Sequence, residues 1–169
     1  VCYHLHIGSP LTLSEVRAML PAGISADILP TTELARMRAA LPAVQTAARL
    51  RVGPCSCDLV RSRQRESRTD ERELRRRYAR LGLTRDRIIQ ALERHRRDPI
   101  WDEPDGGWRR ALARFVEEHA RNAGPTLFRL LFEPGAEAAS ELPRRRTVAE
   151  VRADPEGWLT EGAPVLVTR

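Results

Sequence analysis

The sequence predicts a single α+β domain over residues 1–169, with a small mixed or antiparallel sheet of about four strands and helices on one face. An arginine-rich helical pair is expected as an insertion at about 61–98. Three observations predict this class. Segments of strand-like and helix-like periodicity alternate along the chain at irregular spacing, which disfavours a regular doubly wound sheet. Apolar content of 41% against 31% charged residues is that of a chain with a core, and at 169 residues neither disulfide nor metal is required merely to fold. Positive charge is also uneven: Arg61 to Arg97 holds fourteen arginines against six acids, a net of +8, which leaves −2 for the rest of the chain.

The elements follow in order. In CYHLHI, Tyr3, Leu5 and Ile7 alternate with Cys2, His4 and His6, the period of a strand half-buried against a core. Thr12 and Glu15 form a capping-box pattern for a short helix to Leu20, stopped by Pro21. TELARMRAAL is a second short helix ending before Pro42. AVQTAARLRV reads as a strand with Val44, Thr46, Ala48, Leu50 and Val52 on one face. Helices are expected over TDERELRRRYARL and TRDRIIQALERHRR, with IWDEPDGG as a loop. WRRALARFVEEHARN places Trp108, Leu112, Phe115, Val116 and His119 on one helical stripe before the stop at Gly124-Pro125. TLFRLLFE is apolar on both faces, as in a central strand, and PGAEAASELPRRR reads as a surface loop. Thr147 and Glu150 cap another helix, and APVLVT is the last strand.

Every basic residue is arginine, a bias that suggests a GC-rich, bacterial-type genome. No apolar run approaches the roughly 20 residues of a membrane span, and the first residues lack the pattern of a signal peptide. A cytoplasmic protein with no membrane partner is the expectation, and its three cysteines are then free thiols or ligands.

The leading functional expectation is a metal- or thiol-binding protein. Side chains two apart on a strand share a face, so Cys2, His4 and His6 form one candidate group and Cys55 and Cys57 another. Antiparallel pairing of the two strands would bring Cys2 and His4 towards Cys55 and Cys57. A mixed sulfur and nitrogen set suits zinc first, with iron or copper as alternatives; the role is structural, sensory or catalytic. The competing reading is that cysteine, a commonly buried residue, simply fills space and that strand histidines face solvent without a task.

Three short stretches carry likenesses to known proteins. HLHIGSPLT resembles the first metal-binding strand of adenosine-deaminase-like amidohydrolases, which implies a TIM barrel, but the chain is shorter than the usual barrel of about 250 residues. CYHLHIG is similar to the histidine-triad motif of nucleotide hydrolases, with Cys2 in the first histidine's place. YARLGLTRDRIIQALER resembles a helix-turn-helix of bacterial regulators, departing from it at Tyr78, where a small residue is usual. That resemblance implies a nucleic-acid-binding alternative at 70–97, with Arg85, Arg87, Gln90 and Arg94 reaching bases and phosphates around buried Ile88 and Leu92. An acidic protein surface is the other partner such arginines would fit. His95 and His119 continue apolar stripes and read as structural.

Overall fold

A computed structural model describes residues 3–53, 55–60, 75–76, 79, 84–97, 107–132 and 142–169, with only the backbone at 91, 94–97 and 132. The chain divides into two compact units, Val1–Arg61 with Asp102–Arg169, and Ser62–Trp101.

The first unit is built on one mixed sheet of six strands. They are β1 (Tyr3–Ser9), β2 (Ile24–Ile28), β3 (Thr46–Val52), β4 (Thr126–Phe132), β5 (Arg144–Thr147) and β6 (Pro164–Thr168), arranged in the order β2-β3-β1-β4-β6-β5. Strand β1 is central and antiparallel to both β3 and β4, while β5 and β6 run parallel. Where about four strands were expected, the described residues therefore form six. The two additions are short: β2 on one edge, and β5, whose Arg144–Arg146 the sequence pattern assigns to a surface loop. An exposed row of arginines carries no apolar alternation to betray a strand, yet suits a sheet edge, where charge discourages pairing with another chain.

The helices of this unit are α1 (Leu13–Met19), α2 (Thr31–Ala40), α3 (Cys57–Val60), α5 (Gly107–Ala123) and α6 (Val148–Ala153). Helix α4 (Arg85–Arg97) belongs to the second unit. Both capping boxes form: Thr12 and Glu15 close the start of α1, and Thr147 and Glu150 that of α6. Leu5, Ile7, Leu50, Phe128 and Val165 project from one sheet face into the main core, where the α5 stripe of Trp108, Leu112, Phe115 and Val116 meets them. Phe128 and Trp158 stack edge to face at 5.1 Å.

Helices on one face only is the second expectation the structure corrects. Helix α2 lies on the opposite face, where Met37 joins Val44, Ala47 and Leu127 in a separate small cluster. The central strands have apolar groups on both sides, so both sides require cover. Gly8 in β1 allows α2 to approach, since a Cβ there would stand 2.9 Å from Met37 Sδ.

His119, expected to be structural, is fully buried in α5 between two hydroxyls. Thr126 Oγ1 donates to Gly124 O at 3.1 Å, so it accepts from His119 Nδ1–H at 2.9 Å. His119 Nε2 is then the acceptor for the Ser9 hydroxyl, also at 2.9 Å, while Ser9 Oγ accepts from Leu11 N–H. The three groups satisfy one another with no solvent contact. They hold the end of β1 against the start of β4.

At Gly23, φ is +86°, and an added Cβ would stand 2.5 Å from Cη2 of the buried Trp108 ring. Gly23→Ala is expected to destabilise the protein by about 2–4 kcal/mol, combining overpacking with an unfavourable backbone conformation. Chemical denaturation would measure this, and a loss below about 0.5 kcal/mol would show that Trp108 yields freely.

Candidate functional site: a histidine–arginine row across the sheet

The face opposite the main core carries polar groups where an apolar layer would be simplest. The pairings Asp27↔Arg49, Arg49↔His6 and His6↔Arg129 set these four residues in one row across β2, β3, β1 and β4. Neighbouring strands lie about 4.8 Å apart, so the two arginines flank His6 on either side. His4, two residues earlier on β1, shares the face; its ring lies 6.3 Å from that of His6, edge to face. Arg49 Nη1 donates to His4 Nδ1 at 3.3 Å.

Helix α2 supplies a carboxylate above the row. Glu33 Oε1 accepts from Arg36 Nη1 at 2.6 Å. Its other oxygen, Oε2, stands 3.7 Å from Arg129 Nη1 and 3.8 Å from His6 Nδ1, beyond hydrogen-bond reach of both. Among the described residues, Glu33 Oε2 and His6 Nδ1 each have no hydrogen-bond partner, and both are buried. Asp27, at the other end, is held by Arg51 through Nε and Nη2, with Arg49 Nη2 4.0 Å away. The hydrogen bond from Arg51 holds the Asp27 carboxyl below its usual pKa.

Exposure is graded along the row. The side chains of Asp27 and Arg49 are 39% and 33% exposed, those of Arg129 and His6 only 13% and 7%. Burial, with smaller contributions from His4, Arg129 and Arg49, lowers the His6 pKa to about 4, so the imidazole is neutral at pH 7. The row thus offers two guanidinium groups and a neutral imidazole, open at the β2–β3 side and covered at the α2 side. Guanidinium groups of this kind can pair with the oxygens of an oxyanion.

The sequence-predicted ligands occupy two places. His4 and His6 lie on this face as strand alternation predicted, but His6 is buried rather than turned to solvent. Cys55 and Cys57 sit where the chain turns after β3, beside the start of β1. Ser56 inserts between the paired strands, its Oγ accepting from Leu5 N–H at 3.0 Å and donating to Leu50 O. Cys57 Sγ accepts from Tyr3 N–H at 3.4 Å, and Cys57 N–H meets Cys55 Sγ at 3.4 Å. Antiparallel pairing of β1 and β3 does place the Cys-x-Cys turn at the first strand's start. Cys2 lies outside the described residues. Among the described residues, no three His, Cys, Asp or Glu side chains stand together as a metal site, because the histidines turn onto the arginine face while the cysteines lie at the strand end.

In α4, Arg85, Arg87 and Gln90 are exposed while Ile88 and Leu92 are buried; the Arg94 and His95 side chains and most of residues 70–83 lie outside the described residues. Among the described residues, no helix is long and apolar enough to cross a membrane.

Sequence reasoning missed Arg49, Arg129, Asp27 and Glu33. Two signals were present: an arginine in the middle of the otherwise apolar TLFRLLF, and the arginines alternating with Leu50 in ARLRV. Comparison of the chain with protein-family models, curated proteins and solved structures finds no match.

Proposed function

We propose that the chain binds a small anionic ligand on the sheet face, between Arg49 and Arg129, with His4 and His6 as further hydrogen-bonding groups. The observation that carries this reading is the register that sets Arg49, His6 and Arg129 side by side on three adjacent strands. A fold has little to gain from such a row. Replacing buried charged groups by apolar side chains is often neutral or stabilising by about 1–4 kcal/mol, and here a small apolar cluster already adjoins the row. Groups kept in this way at the covered end of an open face are candidates for ligand recognition. Calorimetric titration with small oxyanions tests the reading. Arg49→Gln and Arg129→Gln are each expected to weaken binding about 10-fold or more, the loss of one charge-assisted contact. Undiminished binding in both variants would remove the site from consideration.

A second reading keeps the thiols. Cys55 and Cys57 are partly exposed two residues apart, and the Tyr3 amide bonded to Cys57 directly follows Cys2. In this reading the three cysteines form a thiol site for a soft or borderline metal, zinc first. Elemental analysis of protein purified without a metal-affinity tag, with thiol titration before and after chelation, tests it. One equivalent of metal and thiols released by the chelator are expected. Three freely titrating thiols and no metal would reject this reading and leave the sheet face as the candidate.

A further inference from the structure

The Cys-x-Cys turn after β3 holds two thiols on a backbone that is fixed around them. Cys55 still pairs with Val52 and Cys57 opens α3, so the chain bends at Ser56. On extended backbone, Cα atoms two residues apart are separated by roughly 6.6–7.2 Å, at or beyond the upper limit for a disulfide. A bend shortens that separation into the usual range of about 4.4–6.8 Å. Ser56 fixes the bend, because its buried side chain is bonded to both neighbouring strands, at Leu5 N–H and Leu50 O. Cys57 N–H donates to Cys55 Sγ at 3.4 Å, which puts that sulfur within about 5 Å of Cys57 Cα by bond length alone. Tyr3 N–H donates to Cys57 Sγ, also at 3.4 Å. Both residues are partly exposed thiols, open to a small reagent.

We infer that Cys55 and Cys57 form a redox-active dithiol that reacts with low-molecular-weight disulfides and closes to a Cys55–Cys57 disulfide. The thiolate of one cysteine attacks a sulfur of the small disulfide, forming a mixed disulfide and releasing one small thiolate. The thiolate of the other cysteine then attacks the protein sulfur of that mixed disulfide, closing the ring and releasing the second small thiolate. The two cysteines are oxidised, the small disulfide is reduced to two thiols, and the two cysteine protons pass to them. Proximity favours the second step, since a group tethered by so short a stretch of chain acts at an effective concentration on the order of mM. The inference goes beyond both readings above: it needs no anion on the sheet face, and it uses the thiols without a metal.

The test is reaction of the reduced, chelator-treated chain with glutathione disulfide, followed by acid quenching, thiol blocking and mass spectrometry. The native chain and Cys2→Ser are both expected to lose two hydrogens within the tryptic peptide 52–61, which holds both cysteines. In the Cys2→Ser background, adding Cys55→Ser or Cys57→Ser removes the resolving thiol, so the reaction should stop at the glutathione adduct. With external thiol at about 0.1 mM, each of these variants should carry about 10-fold or more of that adduct than its parent. Near-ultraviolet circular dichroism would confirm that the variants are folded. An adduct that persists on Cys55 or Cys57 of the native chain, a disulfide that includes Cys2, or thiols that do not react would each overturn the inference. None of these outcomes bears on the oxyanion titration, and the elemental analysis decides the metal reading separately.

Discussion

Acidification from pH 7 to pH 4 is expected to remove on the order of 5 kcal/mol of folding stability, largely through two buried histidines. His119 and His6 both have their pKa lowered to about 4, in each case chiefly by burial, against an ordinary value of 6.5. The folded state therefore binds fewer protons than the unfolded chain between these values. The stability tied to each neutral imidazole is complete above pH 6.5 and is lost as the pH falls through 4. A displacement of this size corresponds to about 3 kcal/mol per histidine. Charging His119 also breaks its hydrogen-bond chain, because Nε2–H would face a Ser9 hydroxyl whose own hydrogen now has no acceptor there. Urea denaturation in half-unit pH steps measures the effect. His119→Gln retains a donor and an acceptor but does not titrate, so its loss between pH 7 and 4 should be about half that of the native chain. An unchanged pH dependence in that variant would mean that His119 is not a source of the acid sensitivity.

The second large effect separates stability from function. Replacing the covered end of the row together, as His6→Leu with Glu33→Leu and Arg129→Met, is expected to leave stability unchanged or raise it by about 1–4 kcal/mol. The new side chains would extend the neighbouring cluster of Met37, Val44, Ala47 and Leu127. The same variant should bind small oxyanions at least 100-fold more weakly, having lost one guanidinium and the imidazole between the pair. Glu33→Leu alone should cost about 2 kcal/mol, because Arg36 and Arg129 lose the carboxylate lying between them. Denaturation midpoints and calorimetry on the same samples would check both. A triple variant that fails to fold would identify the row as a structural network rather than a binding site.

Periodicity and capping chemistry made much of the fold legible. The alternation in YHLHI turned Leu5 and Ile7 to the core and His4 and His6 away from it, and Thr12 with Glu15 marked a helix start that the structure shows closed in the same way. These are local rules, so a sequence window holds all the information they need. Strand β2 follows the same alternation in ISADI, but its five residues are too few to stand out by pattern alone. Strand β5 has no apolar pattern and exists through its parallel pairing with β6.

The candidate site lay beyond such windows. Arg49, His6 and Arg129 are far apart in sequence and become neighbours only through strand order and register. The choice of face for α2 had the same origin. Met37 is its one fully buried residue, so the helix carries a weak apolar signal, and tertiary contact alone placed Glu33 over His6. By itself, the sequence determined which side chains share a strand face or a helix stripe, because backbone geometry fixes those periods. The tertiary structure decided which faces meet and which charges stand together, because pairing across a sheet depends on burial summed over the whole chain.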